Sequence, residues 1–268
     1  MREEYAEGIK IIKRKPKKRL LGIFLICFIS FFAVTLFAEL FSKTLNVGNF
    51  SIVSLIMGGG NGSIDAHSYF AVTLGEYETK AECLDVAMGS SVAGASGYVW
   101  EKDGYFYPIG SIYKTKEDAT KVVEQLSNSV YSVGVLEIEF KKIAFDESSK
   151  EKEVATVIYD SLNYLGELYN NFQVHSIQLE KNEITYVAAA SFINAYLGEI
   201  KVYESKMQYL IEEYNDEMLK KIRTGFVSIE SSLNNTISTL LSNFSPVSDI
   251  KYGLVDYVFN YYSLILSL

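Results

Sequence analysis

The chain has 268 residues, of which 49% are apolar and 14% aromatic, so it has enough apolar material for sizeable hydrophobic cores. Its charge is unevenly distributed: the first 19 residues carry eight Lys or Arg and three Glu, which leaves 17 basic and 30 acidic residues in the rest. A net charge of −13 on that remainder repels nucleic acids and anionic lipid surfaces, so nucleic acid is a poor candidate partner.

A charge-free run follows the basic tail at residues 20–38. Its 19 residues would span roughly 28 Å as a helix, close to the thickness of bilayer hydrocarbon. The run is long for a secretion signal and ends in a poor cleavage site. Both features favour an uncleaved transmembrane helix, spanning residues 20–41, rather than a cleaved signal peptide. The positive-inside rule then keeps residues 1–19 in the cytoplasm and places the remainder on the other side of the cell membrane.

Residues 42–66 are predicted to form an extracytoplasmic stalk and linker. The apolar run Phe50–Met57 is too short to cross the membrane again, and the glycine-rich segment after it is typical of a flexible linker. Cys27 lies in the predicted anchor and Cys83 is the only cysteine outside it, which leaves no intramolecular disulfide in the exported part.

The segment 67–143 contains two similar units. One begins Y-F-A-V-T-L-G at Tyr69 and the other Y-F-Y-P-I-G at Tyr105, and each leads through a Thr-Lys pair into a helical stretch. Neither unit could bury its apolar face alone, so the two are expected to share one small α+β domain.

Period-2 patterning and turn residues give the order of elements in this domain. Lys102-Asp103-Gly104 is predicted to be a hairpin turn, because Asp-Gly favours positive φ, and Pro108 predicts a bulged or unpaired position in the third strand. The predicted strands are 69–74, 97–101, 105–109 and 133–140, and the predicted helices are 79–93 and 115–127. The order β-α-β-β-α-β is that of the ferredoxin-like fold, an antiparallel four-stranded sheet with two helices on one face.

These residues resemble the SPOR (sporulation-related repeat) domain family of bacterial envelope proteins. The resemblance rests on V-T-L-G-E-Y at Val72–Tyr77, on Ala81 and Asp118-Ala119 in the two helices, and on the second unit, Tyr105–Tyr113. It implies a non-catalytic domain that binds peptidoglycan glycan strands, typically strands stripped of stem peptides at cell division or sporulation septa.

Strand alternation predicts which residues could bind such a ligand. Tyr69 and Thr73 are expected on the sheet face that the two predicted helices leave open, Thr73 standing where the family often has Gln. Phe106 stands where the family often has an outward Arg. Tyr98 and Trp100 lie on the second strand, where the hairpin register decides between packing and ligand contact. This aromatic, neutral face suits either sugar stacking or the docking of another protein.

Residues 146–268 are predicted to be helical throughout. From Val154 to Tyr214 apolar residues recur at alternating steps of four and three, which predicts either one long coiled-coil helix with Asn182 at its seam or a hairpin that turns near Lys181. Additional apolar positions widen the stripe and favour a bundle. This module is expected to fold alone, and to offer a surface for a protein partner or a second copy of the chain. The last helix, Ser248–Leu268, is expected either to pack into the bundle or to lie on the membrane or a partner.

No catalytic, metal-binding or phosphate-binding motif occurs in the sequence. The two histidines, His67 and His175, are far apart and lack neighbouring ligand patterns, and the glycine-rich linker lacks the Lys-Ser/Thr of a phosphate loop. We therefore expect no cofactor and no enzymatic activity. The sequence predicts a single-pass envelope protein that binds glycan strands of the wall or, alternatively, a structural assembly protein that docks other proteins without touching the wall.

Overall fold

The computed structural model describes residues 63–144, 151–242 and 245–268. These residues form an α+β structure in which a four-stranded antiparallel sheet is followed by four long packed helices. The predicted transmembrane helix at 20–41 and the stalk up to residue 62 lie outside the described part of the chain. Within that part, no helix is both long and apolar enough to cross a membrane.

The N-terminal half of the described chain contains the sheet. Its elements are β1 (Ser63–Ile64), β2 (His67–Thr73), α1 (Lys80–Ser91), β3 (Tyr98–Lys102), β4 (Tyr105–Tyr113), α2 (Lys116–Gln125), β5 (Gly134–Phe140) and β6 (Ile143–Ala144). The main sheet has the strand order β3-β4-β2-β5, and β1 pairs with β6 in a separate two-stranded ladder. The strands and helices of the main sheet thus follow the order predicted from the sequence.

The Thr-Lys pair that occurs in both sequence units is the start of a helix in each. Thr79 caps α1 by accepting a hydrogen bond from the backbone N–H of Glu82 at 3.3 Å, and Thr115 caps α2 by accepting one from Asp118 at 3.2 Å. Each threonine hydroxyl in turn donates to the carboxylate of that same acidic residue at 2.8 Å. The repeat therefore encodes two equivalent N-caps, which satisfy N–H groups that a helix start leaves unpaired.

The β3–β4 hairpin turns within the predicted segment Lys102-Asp103-Gly104, but the turn has two residues, because Lys102 belongs to β3. Asp103 and Gly104 have φ angles of 53° and 86°, and Lys102 lies opposite Tyr105. Further along, β4 continues to Tyr113, four residues beyond the predicted end. The pairing of β4 with β2 shifts register between Val72 and Thr73, which leaves one extra residue in β4 between Ile109 and Ser111. The irregularity expected at Pro108 therefore lies two residues further along the strand.

The C-terminal half is a bundle of α3 (Lys152–Glu180), α4 (Tyr186–Tyr214), α5 (Glu217–Ser242) and α6 (Pro246–Ser267). Consecutive helices pack on each other, and α3 also packs on α6, which closes the bundle. The chain turns at Asn182, with φ 58°, so the hairpin interpretation of the heptads is confirmed and the single long helix is wrong. A second turn lies at Asn215, with φ 54°, directly after the heptad stretch that ends at Tyr214, and it was not predicted from the sequence.

The two faces of the sheet are covered by different layers. Helices α1 and α2 cover one face over a small core, whose members include Val72, Leu74, Cys83, Ala87 and Ala119. Helices α3 and α6 lie on the other face, and the side chains there belong to one continuous core with the bundle: Tyr69, Ala71, Ile109, Ile112, Ile138 and Phe140. The prediction that this second face is open was therefore wrong.

Candidate functional site

Two of the predicted binding residues are buried. Tyr69 is 2% exposed and packs against Tyr169 of α3, with ring centroids 4.4 Å apart, and against Phe140 of β5 at 5.2 Å. The Tyr169 hydroxyl donates to the backbone carbonyl of Ile112 at 3.1 Å, which ties α3 to the sheet. Thr73 is 8% exposed. Because a helix of the same chain covers this part of the face, a ligand would have to displace α3 to reach Tyr69.

Phe106 lies on the opposite face of the sheet from the other four candidates. The two-residue turn sets Trp100 opposite Tyr107 and Glu101 opposite Phe106, so Phe106 shares its face with Glu101. Its backbone also pairs with Tyr77, through N–H···O bonds of 2.8 and 2.9 Å. The prediction that Phe106 and Tyr69 point to the same side was wrong, because it did not follow the register through the turn.

Tyr98 lies on the face covered by the bundle, beneath helix α6. Its ring stacks on Phe259, with centroids 5.2 Å apart and planes 8° apart, and contacts Tyr252 at 5.3 Å. Ser248, near the start of α6, donates a hydrogen bond of 2.7 Å to the carbonyl of Ala95 just before β3. Burial raises the pKa of the Tyr98 phenol, which stays protonated at neutral pH. Tyr98 is therefore a packing residue between strand and helix.

Three aromatic residues at the hairpin end of this face remain accessible, and we name them the aromatic platform: Trp100, Tyr105 and Tyr107. Trp100 and Tyr107 are half-buried with ring centroids 6.4 Å apart, while Tyr105, opposite Lys102 near the turn, is 39% exposed. Phe259 of α6 supports Trp100 from within the protein at 4.7 Å. The platform thus combines accessible rings with a rigid base.

Polar groups lie at two sides of the aromatic platform. The Tyr107 hydroxyl donates a hydrogen bond of 2.9 Å to the Glu76 carboxylate, and the pKa of Tyr107 is raised by desolvation first and by this bond second. The ammonium of Lys102 lies 5.4 Å from the centroid of the Trp100 ring, a cation–π distance. These groups can stack on a ligand and form hydrogen bonds with it.

Neither histidine belongs to the platform. His67 stacks on Phe140 at 4.7 Å and His175 on Phe192 at 3.9 Å, and burial lowers the pKa of both imidazoles. Over residues 63–144, 151–242 and 245–268, no group of three or more His, Cys, Asp or Glu is placed to hold a metal ion.

Three residues of the candidate site were not predicted from the sequence: Tyr105, Tyr107 and Glu76. The first two could have been found, because a two-residue Asp-Gly turn fixes which β4 residues lie opposite Trp100 and Lys102. Glu76 could not have been found in this way, because it is 31 residues from Tyr107 in the sequence and no local pattern indicates that the two side chains form a hydrogen bond.

Comparison of the chain with protein families, with characterised proteins and with solved structures finds no match. Arguments about its function therefore rest on its own residues.

Proposed function

We propose that the chain is a non-catalytic, single-pass protein of the bacterial cell envelope that binds peptidoglycan glycan strands through the aromatic platform. The basic tail and apolar run at the N-terminus support a membrane anchor with the rest of the chain outside the cytoplasm. The β-α-β-β-α-β order and the strand order β3-β4-β2-β5 support a ferredoxin-like, SPOR-like domain, whose resemblance implies action at division or sporulation septa.

The observation that carries the proposal is the set of accessible rings on one sheet face beside a carboxylate. A pyranose ring has a face of C–H groups that packs on aromatic rings, and hydroxyls around its edge that donate to carboxylates. Trp100 and Tyr107 offer the first kind of contact and Glu76 the second. Because only a small part of the face is accessible, the expected affinity is modest.

A second candidate function is a membrane-anchored assembly protein whose degenerate SPOR-like domain and helical module dock other proteins without binding the wall. The observation that favours it is the burial of Tyr69 and Thr73 beneath the bundle, since these residues lie where the family's binding face is expected. In that case the sheet face serves to hold the chain's own helices.

Sedimentation with purified peptidoglycan separates the two. The fragment 60–268 should sediment with amidase-stripped sacculi and less with intact sacculi, and the pair Trp100→Ala and Tyr107→Ala should reduce retention several-fold. Tyr209→Ala is the matched control, because Tyr209 is a 61% exposed tyrosine on α4, outside the platform. A wild-type fragment that stays in the supernatant would favour the assembly function. A reporter active only outside the cytoplasm, fused after Leu268, tests the membrane topology independently.

A further inference from the structure

An ammonium group of the chain itself lies over the half-buried tryptophan of the platform. The Lys102 Nζ is 5.4 Å from the centroid of the Trp100 ring, and Lys102 belongs to the same strand, two residues further on. The electron-rich face of an indole attracts organic cations, and tryptophan does so better than tyrosine or phenylalanine. The platform is therefore a surface on which an alkylammonium group is already accommodated.

The negative charges near the platform favour the same kind of ligand. Glu76 accepts the Tyr107 hydroxyl at 2.9 Å, and the charges of Glu76 and Asp103 both act on Tyr107. The positive charge of Lys102 offsets one of these two negative charges, and we expect a ligand ammonium to replace the Lys102 ammonium over the Trp100 ring. The 30 acidic and 17 basic residues that follow the N-terminal tail add a long-range negative field. A cationic ligand is therefore attracted both by the nearby carboxylates and by the net negative charge of this part of the chain, and an anionic ligand is repelled.

We propose that the aromatic platform prefers glycans with free amino groups, glucosamine units rather than N-acetylglucosamine units. The sugar ammonium would take the place of the Lys102 ammonium over Trp100, and a neighbouring sugar hydroxyl would donate to the Glu76 carboxylate. This preference rests on the proposed glycan-binding function and specifies its ligand. An N-acetyl group removes the charge and offers the Trp100 face no cation.

Fluorescence titration tests the preference directly, because Trp100 is the only tryptophan in the 268-residue chain. The fragment 60–268 is titrated near pH 6 with β-1,4-linked oligomers of glucosamine and, separately, of N-acetylglucosamine at equal length. We expect glucosamine oligomers to bind about fivefold more tightly, a difference that one cation–π contact can supply.

Three variants make the test specific. Glu76→Gln should weaken binding of both oligomers, because both lose the hydrogen bond from a sugar hydroxyl, and should weaken glucosamine binding by the larger factor, because the ammonium also loses a nearby negative charge. Lys102→Met should strengthen glucosamine binding, because it removes the competing ammonium and one positive charge. Glu213→Gln is the charge-matched control, since it removes an exposed carboxylate on α4 and should alter neither affinity.

The outcomes distinguish this inference from the proposed function. Equal or tighter binding of N-acetylglucosamine oligomers would overturn the amino-sugar preference and leave glycan binding intact. The same conclusion would follow if neither oligomer bound but stripped sacculi still retained the wild-type fragment and did not retain the Trp100→Ala variant. If neither oligomer binds and sacculi retain nothing, both proposals are wrong.

Discussion

At the scale of single residues, Phe259 links the bundle to the candidate site. Its ring lies 4.7 Å from Trp100 and 5.2 Å from Tyr98, and the side chain is 5% exposed. One side chain of α6 thus supports two aromatic residues of β3. The geometry of the aromatic platform depends on a helix that begins more than 140 residues later in the sequence than the strand ends.

We predict that Phe259→Ala lowers the free energy of unfolding by about 3 kcal/mol, because it removes a buried ring and leaves a cavity beneath Trp100. Urea denaturation of the fragment 60–268 measures the loss, and a shift of the Trp100 emission in the folded state reports the exposed indole. Leu266→Ala on the same helix is the control: Leu266 is 57% exposed, so its truncation should cost roughly 0.5 kcal/mol or less. Similar losses for the two variants would contradict the packing described for Phe259.

At the scale of elements, the hairpin turn sets which residues make up the platform. Gly104 has a φ of 86°, and no atom lies within 4 Å of the position that a Cβ would take. A substitution there is therefore opposed by backbone conformation alone. Gly89 in α1 has equally open surroundings but lies in a helix. The two glycines form a matched pair that isolates the effect of φ.

We expect Gly104→Ala to destabilise the fragment by about 1–2 kcal/mol, since an L side chain disfavours positive φ. Gly89→Ala should stabilise it by roughly 0.5–1 kcal/mol, because alanine loses less backbone entropy in a helix. Chemical denaturation gives both values. Equal effects of the two substitutions would show that the hairpin turn does not require the conformation seen at Gly104.

Most elements of the fold could be predicted from the sequence because their signals are local. The Thr-Lys pairs mark the two N-caps, Asp103-Gly104 marks the turn, and the apolar steps of four and three mark α3 and α4. The turn at Asn215 was missed because the apolar spacing continues across it with only a small change. A single Asn in the left-handed region ends α4 there, and that signal is weak in a helical context.

The packing of the bundle on the sheet was not predicted, because the α+β segment and the helical segment each have a sequence pattern typical of a separate domain. One signal did exist: the last helix is apolar on most sides, and a helix of that kind is normally buried all round. In the structure, α6 packs on α3 and α5 and also on β3 and β4, so both of its sides are used. From the sequence, that composition was expected to serve packing in the bundle or contact with the membrane or a partner. Contact with the sheet was not among these expectations, so Tyr69 and Thr73 were placed on an open face.

At the scale of the whole molecule, sheet and bundle are one structural unit. The described residues, from Ser63 onward, form a single compact body, and the core that contains Tyr69 and Ile109 continues into the bundle. The expectation that residues 146–268 fold alone is therefore not supported by the packing. Without the sheet, α3 and α6 would expose a broad apolar surface to water, and such a surface promotes aggregation.

The last prediction follows from this shared core. Trp100 reports on the sheet through its fluorescence, and far-UV circular dichroism reports mainly on the four long helices, so two separate probes follow the two parts of the molecule. Because the larger core is shared between the sheet and the bundle, the fragment 60–268 should unfold in urea in one cooperative transition, with the same midpoint by both probes. Phe259→Ala should shift both midpoints together. Two separated midpoints in the wild-type fragment would show instead that the helices and the sheet are stable independently, and that the contacts of Phe259 and Tyr169 with the sheet add little to the stability of either part.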